Sequence, residues 1–261
     1  MTVRFRHVLI LVLSVTLTVS ATTVAANVER YAYCIFRADS ACGTNVTFEV
    51  GGKVKPEALP RDKLAPAAVE VQGTVATEDG SHPPALREVV FDLDRNVTLD
   101  PTAFPVCEFI HGSTRDIRRD LSAECPDSIV GRGTAEIAFV SGLPSQRVPL
   151  TFFNAGVVDG VIGLAVQTKV FVPVTTGVEV ERARKGRYGY TATWGPFVIA
   201  GGDGLLTKFD FRLKRGYVRA RCSDGKLQAN ITKALFRDEG ETPSTTTILK
   251  GTAIRPCTPK P

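Results

Sequence analysis

Histidine is scarce in this chain, with three in 261 residues, and tryptophan occurs once, as Trp194. No two cysteines stand at a C-x-x-C spacing, and His82 and His111 are the only histidines beyond the amino-terminal stretch. A zinc site of cysteine and histidine is therefore not expected, and little is left for a Ser-His-Asp triad. Absent too are G-x-S-x-G, H-E-x-x-H, a phosphate-binding loop and a dinucleotide fingerprint. Those absences remove the commonest hydrolase, metalloprotease and nucleotide-binding signatures, and no cofactor is expected. Beyond Val19 no apolar run approaches the ~20 residues that a spanning helix needs. No repeat of fixed period occurs, and no low-complexity segment apart from a proline-rich tail.

The first residues carry a pattern of their own. Arg4, Arg6 and His7 precede an apolar stretch from Val8 to Val19, and small residues run from Ser20 to Ala26. This is the pattern of a secretory signal peptide over residues 1–26, with cleavage near Ala26. An extracellular mature chain without a transmembrane segment is the expectation. Cys34, Cys42, Cys107, Cys125, Cys222 and Cys257 all lie beyond that segment. An even number in an exported chain reads as a disulfide framework. Several pairings are possible; local closure favours Cys34–Cys42, Cys107–Cys125 and Cys222–Cys257. With all six bridged, no thiol is left as a nucleophile.

Period-two alternation dominates the chain beyond its first sixty-odd residues. Val69, Val71 and Val75 alternate with Glu70, Gln72 and Thr74. In Leu86–Asp94, Val89, Phe91 and Leu93 share one face, with Glu88, Val90, Asp92 and Asp94 on the other. Val148–Asn154 is apolar on both faces, which suggests a central strand. Lys208–Leu213, Val218–Cys222 and Leu227–Ile231 read as a three-stranded meander, with turns at Lys214-Arg215-Gly216 and Ser223-Asp224-Gly225-Lys226. One helix is predicted near 114–125, where Ser113 caps and Ile117, Leu121 and Cys125 share a face. A Cys107–Cys125 bridge would clamp it against the preceding strand. Short strands with one short helix predict an all-β fold, specifically a two-layer antiparallel β-sandwich of jelly-roll type. The expected division is an N-terminal extension over 27–66, a sandwich domain over 67–257 and a tail over 258–261.

Three patterns bear on function. Asp92 and Asp94 share a strand face; paired carboxylates can do acid–base work or hold Ca²⁺, but on an exposed strand they are ordinarily a solvated face. Tyr188, Tyr190 and Trp194 fall in one aromatic row, which can stack on sugar rings or form part of a core. From Glu181 to Arg237 there are thirteen Lys/Arg against four Asp/Glu, a net of +9. Within it, Lys208, Arg212, Arg219 and Arg221 share the outward parity of the meander. They are a candidate polyanion face, or a solubilising surface that discourages edge pairing. Anionic polymers and glycans are the partners these patterns suggest; nucleic acid is not among them. Asn45-Val46-Thr47, Asn96-Val97-Thr98 and Asn230-Ile231-Thr232 match the glycosylation acceptor pattern.

Leu86-Arg87-Glu88-Val89-Val90-Phe91-Asp92-Leu93, Cys107 and Cys125-Pro126-Asp127-Ser128-Ile129-Val130-Gly131 carry a resemblance, together with Ile199-Ala200-Gly201-Gly202 and Ala220-Arg221-Cys222-Ser223-Asp224-Gly225. From about Val69 onward the chain resembles uncharacterised secreted proteins of high-GC soil bacteria. That resemblance implies secretion and an all-β fold, and brings no activity or site residue. The expectation is a secreted, non-catalytic binding or structural module; the alternative is an extracellular glycan-active hydrolase on a jelly-roll scaffold, by analogy of fold.

Overall fold

Alternating stretches become strands because one face is then buried while each backbone N–H and C=O finds a ladder partner. The computed structural model describes residues 29–34, 45–77, 79–108, 119–237, 246–247 and 251–260. The signal-peptide segment, the Cys34–Cys42 pairing and most of the predicted helix lie outside these residues. In chain order the strands are β1 Glu29–Cys34, β2 Asn45–Lys55, β3 Ala58–Pro60, β4 Ala65–Thr77, β5 Ala85–Asp94 and β6 Val97–Leu99. A four-residue helix α1, Leu121–Glu124, precedes β7 Ile129–Phe139, β8 Gln146–Val158, β9 Val161–Lys169, β10 Pro173–Lys185 and β11 Tyr188–Gly195. Then come β12 Gly204–Ala220, β13 Lys226–Arg237, β14 Thr246–Thr247, β15 Gly251–Pro256 and β16 Thr258–Lys260.

The chain is all-β, as its alternation implies, but the strands are not divided between two stacked sheets. One fourteen-stranded sheet runs β1-β2-β4-β12-β7-β8-β9-β10-β11-β5-β13-β14, with β6 added to β12 and β15 to β13. Its neighbouring strands are antiparallel, and it curls until β15 lies alongside β2 and β1, so the architecture is nearly a barrel. The pairing describes neither a two-layer sandwich nor a jelly-roll. Sandwich and barrel demand the same inward–outward alternation, so alternation cannot separate them.

The expected meander is also replaced. Lys214-Arg215-Gly216 is not a turn between strands but part of a wide bulge inside β12. Leu213 pairs with Val69 and Val218 with Ala67, so the four residues between them oppose only Ala68. Gly216 adopts φ +100° there, a conformation that suits a tight turn and a bulge equally well. Beyond the Asp224-Gly225 turn, β13 leaves β12 and pairs with β5. Part of the expected extension joins the main sheet, since β2 pairs with β4 from Val46 to Lys55. The tail forms β16, which runs parallel to β3.

The largest core lies inside the sheet. Trp194 sits among Phe152, Phe197, Phe209 and Phe211, with ring centroids at 5.8, 5.1, 6.2 and 5.8 Å. A second core of Leu59, Ala67, Ala220, Leu227 and the Cys222–Cys257 disulfide seals one end. A third lies on the outer face, where the Cys107–Cys125 disulfide and Leu121 pack on Ile129, Phe153 and Ala165. Within the described residues, α1 therefore rests on β7, β8 and β9. This cover explains why β8 is buried on both faces, with Phe152 inside and Phe153 outside.

Asn154, fully buried on β8, holds the strap that leads to Cys107. Its Nδ2 donates to the carbonyls of Pro101, Phe104 and Pro105 at 2.8, 2.9 and 3.2 Å, and its Oδ1 accepts from the Gly156 N–H. Tyr217 is the opposite case: its hydroxyl is buried without a partner, and burial pushes its pKa up. Asn154→Ala is expected to lose about 2–3 kcal/mol of stability by stranding those carbonyls, whereas Tyr217→Phe is expected to be neutral or up to about 1 kcal/mol stabilising. Denaturant midpoints of the two variants check this. Equal losses would contradict the assignment.

Candidate ligand-binding site in the barrel interior

Ten strands, from β2 round to β13 in pairing order, wall the interior. Barrel diameter grows with strand number, and about eight strands already leave an interior that side chains only just fill. Ten leave space, and the space is visible in the burial of the inward row. Val71, Phe91, Leu93, Val178, Phe211 and Leu213 all face inward yet keep accessible surface, because they line a cavity instead of packing on one another. The cavity measures about 240 Å³ and its wall is almost wholly apolar. Trp194 and Phe209 separate it from a second apolar space of about 30 Å³, beneath Phe197 and Ile199. The loop bearing those two residues is tied down by Phe197 N–H to Arg87 O at 2.8 Å and Arg87 Nη1 to Phe197 O at 2.9 Å.

One side of the cavity is lined by residues from the two ends of the sheet, β2 and β15. Glu29 of β1 pairs with Val50; from Gly51 onward β2 pairs, among the described residues, with β4 alone. Gly52, Val54, Val69 and Val71 face the cavity here, and Gln228 and Arg255 belong to its lining on the other edge, whereas Lys53 and Glu70, paired across β2 and β4, turn their side chains to the outer face. Gly52 is required by close approach: a Cβ would stand 2.5 Å from the Glu70 carbonyl oxygen. Glu70 is surrounded by cations, with Lys55 Nζ at 2.8 Å, Lys53 Nζ at 3.2 Å and Arg212 Nη1 at 3.8 Å. The Lys55 hydrogen bond, with Lys53 adding its own, holds the Glu70 carboxyl below its ordinary range.

The residues singled out from sequence fall elsewhere, or inward. Trp194 is 6% exposed and stands on the cavity wall, its indole N–H without a partner, so it cannot present a flat ring to a sugar at the surface. A bulge between Tyr188 and Tyr190 breaks the row, and the Tyr190 hydroxyl accepts from Thr98 Oγ1 at 2.9 Å. Of the two readings of the aromatic row, the structure fits the core one: Tyr190 and Trp194 share the inward face of β11, opposite Leu93 and Val89, and Tyr188 lies beyond the bulge. Asp92 and Asp94 are a correction, since both are buried instead of solvated. Thr191 Oγ1 donates to Asp92 at 2.6 Å. Asp94 accepts from Arg187 Nε, Gln228 N–H and Asn96 N–H at 2.9, 3.0 and 2.9 Å.

Arg187 then reaches Asp224 at 2.5 Å, joining the β10–β11 turn, the end of β5 and the β12–β13 turn. That hydrogen bond holds the Asp224 carboxyl low and raises the guanidinium. These carboxylates are ligated structurally. Among the described residues no cluster of His, Cys, Asp and Glu side chains fits a metal ion.

The four basic residues of the candidate polyanion face are divided by the bulge in β12. Lys208 and Arg212 are exposed, whereas Arg219 binds Asp100 and the Leu64 carbonyl, each at 3.3 Å, and Arg221 donates to Asn96 Oδ1 at 2.8 Å. Asn96, an acceptor of glycan by pattern, is 2% exposed and committed to these contacts. The residues that line the cavity carried no pattern in the sequence that sets them apart from a core. The Gly51-Gly52 pair inside a strand was the one available signal.

No helix of the described chain is long and apolar enough to cross a membrane. The described strands turn apolar residues inward and charges outward, the reverse of a barrel whose outer face meets lipid. No family model matches the chain, and neither the curated proteins nor the solved structures show a significant match to it.

This geometry is open to two measurements. Trp194 emission is expected to be blue-shifted and poorly quenched by iodide; quenching like that of free indole would contradict its placement. The depressed carboxyls of Glu70, Asp100 and Asp224 contribute stability that is complete above their ordinary values of 4.5, 3.8 and 3.8 and is lost as pH falls through their lower folded values. The stability difference between the natural chain and Asp224→Asn is therefore expected to hold near neutrality and to close below about pH 4. A difference that persists unchanged in acid would count against the Arg187–Asp224 pair.

Proposed function

We propose that this chain is an exported, non-catalytic binding protein whose site is the interior of the barrel. One observation carries the reading: an almost wholly apolar wall lines about 240 Å³ of unfilled space that is partly open to solvent. Packed interiors contain few voids larger than a water molecule, and each one forfeits dispersion contacts. A cavity of this size is a cost to the apo fold that a ligand offsets. Apolar cavities stay dry, and one of about 150 Å³ admits benzene, so in proportion this one admits about ten carbon atoms. Removing ten methylenes from water contributes about 8 kcal/mol before the cost of association, which places affinity between about 1 mM and 1 µM.

Export is supported by the signal-peptide pattern of residues 1–26 and by the two described disulfides, which belong to oxidising compartments. Nothing in the cavity favours glycan hydrolysis. Glu70 and Asp94, the acidic residues of its lining strands, are both held in ion pairs, and no cleft brings two free carboxyls together among the described residues. The polyanion reading loses two of its four residues to the internal contacts of Arg219 and Arg221.

Ala192 lines the cavity on β11. Ala192→Phe is expected to fill it, lowering the affinity for decanol at least tenfold while circular dichroism and thermal unfolding stay near those of the natural chain. Unaltered decanol binding in a folded Ala192→Phe variant would overturn the assignment of the site.

A further inference from the structure

We propose that the outer face of the sheet carries a second binding site, a cleft across β2, β4, β12 and β7 that takes the phosphate group of a phosphate monoester. The site is independent of the lumen and stands on strand register. Arg212 of β12 is the direct partner of Arg132 on β7 and, on its other side, of Glu70 on β4, which in turn faces Lys53 of β2. Side chains at paired positions share a face, so these four form one row on the outside of the sheet. Beside that row Gln72 pairs with Asp210, and the six residues line a cleft of about 280 Å³. That volume exceeds a lone ion and leaves room for a small polar alcohol such as a sugar.

Like charges directly opposite on adjacent strands repel, so the facing arginines destabilise the free sheet and an anion between them reverses the effect. The acids of this face do not supply that anion. Arg132 is exposed and has no ion pair among the described residues. Arg212 meets Glu70 at 3.8 Å, but Glu70 is closer to Lys55, at 2.8 Å, and to Lys53, at 3.2 Å. Asp210 accepts from Thr134 Oγ1 at 2.7 Å and faces Arg147 Nη2 at 3.5 Å. In the row beyond, Lys208 stands between Glu136 and, across Thr74, Glu49. Over both rows Lys53, Lys55, Arg132, Arg147, Lys208 and Arg212 outnumber Glu49, Glu70, Glu136 and Asp210. Guanidinium forks bind oxyanions through paired N–H donors, and two forks match a group with two charges. A phosphate monoester carries close to two at neutral pH, whereas a sulfate monoester carries one. Gln72, exposed beside the pair, offers an amide to the hydroxyls of the alcohol.

The test compares glucose 6-phosphate with glucose 6-sulfate at constant low ionic strength near neutral pH, with binding read by calorimetry. Arg132→Gln/Arg212→Gln removes the facing pair. Lys169→Gln/Arg182→Gln removes two exposed charges from β9 and β10 and controls for net charge. Glucose 6-phosphate is expected to bind the natural chain and the control alike, and to bind the pair variant about two- to fivefold more weakly for each arginine removed. It is also expected to bind the natural chain more tightly than the sulfate does. Without ligand the pair variant is expected to unfold at a higher temperature than the natural chain, because the repulsion is gone, and to lose the rise in Tm that the phosphate ester gives. Equal binding to the natural chain and the pair variant, or an equal loss in the control, overturns the site. Equal affinity for the sulfate overturns the match of two charges to two arginines and with it the phosphate assignment. Failure of both esters to bind the natural chain overturns the proposal and leaves the lumen reading untouched.

Discussion

Ten strands wound round one apolar interior enclose more volume than their side chains occupy, and most features of the molecule stem from that mismatch. The aromatic cluster about Trp194 divides the interior but does not fill it. Inward residues of β4, β5, β10 and β12 keep accessible surface although they face the core. The molecule meets the cost at its ends and on its outer wall. The Cys222–Cys257 core seals one end, the loop carrying Phe197 and Ile199 closes the other, and the Cys107–Cys125 strap thickens the wall at β8. Bridges of this kind contribute about 2–4 kcal/mol each, chiefly by restricting the unfolded chain. That is useful to a fold whose centre is incompletely packed.

Closure of the sheet depends on strand register as much as on burial. The bulge in β12 opposes four residues to one, so the strand bends and Val218, Arg219 and Ala220 meet the start of β4 while Leu213 remains opposite Val69. Gly133 and Gly73 serve the same end where strands crowd. A Cβ on Gly133 would strike the Asp210 carbonyl oxygen, and one on Gly73 the Phe209 ring. Arg187 fastens the opposite corner by joining Asp94 to Asp224. Between β2 and β15 no backbone ladder is present among the described residues, although the two strands lie side by side.

Strand content was legible in the residues because period two is a local property. The alternation of Val69–Val75, of Leu86–Asp94 and of Lys208–Leu213 survives in β4, β5 and β12. Topology was not legible, because a barrel and a sandwich require the same alternation. Lys214-Arg215-Gly216 illustrates the limit: a positive-φ glycine between polar residues serves a turn or a bulge, and only β4 on the other side decides which. Asp92 and Asp94 were misplaced for a related reason. Parity shows that two side chains share a face, but not that Thr191 and Arg187 from β11 and its turn will cover that face. The candidate site was the least legible part, since cavity-lining valines and phenylalanines look like any core. An absence of packing leaves no mark on a sequence.

Ligand binding of the kind proposed requires the lumen to be apolar, dry and empty in the free protein. Diffraction from a xenon-pressurised crystal tests this most directly, because xenon enters such cavities without needing a particular polar partner. Xenon is expected in van der Waals contact with Trp194 and Phe209 inside the barrel, with no displacement of the strands. A lumen with no xenon, closed by inward collapse of Phe91, Leu93 and Phe211 on one another, would contradict it.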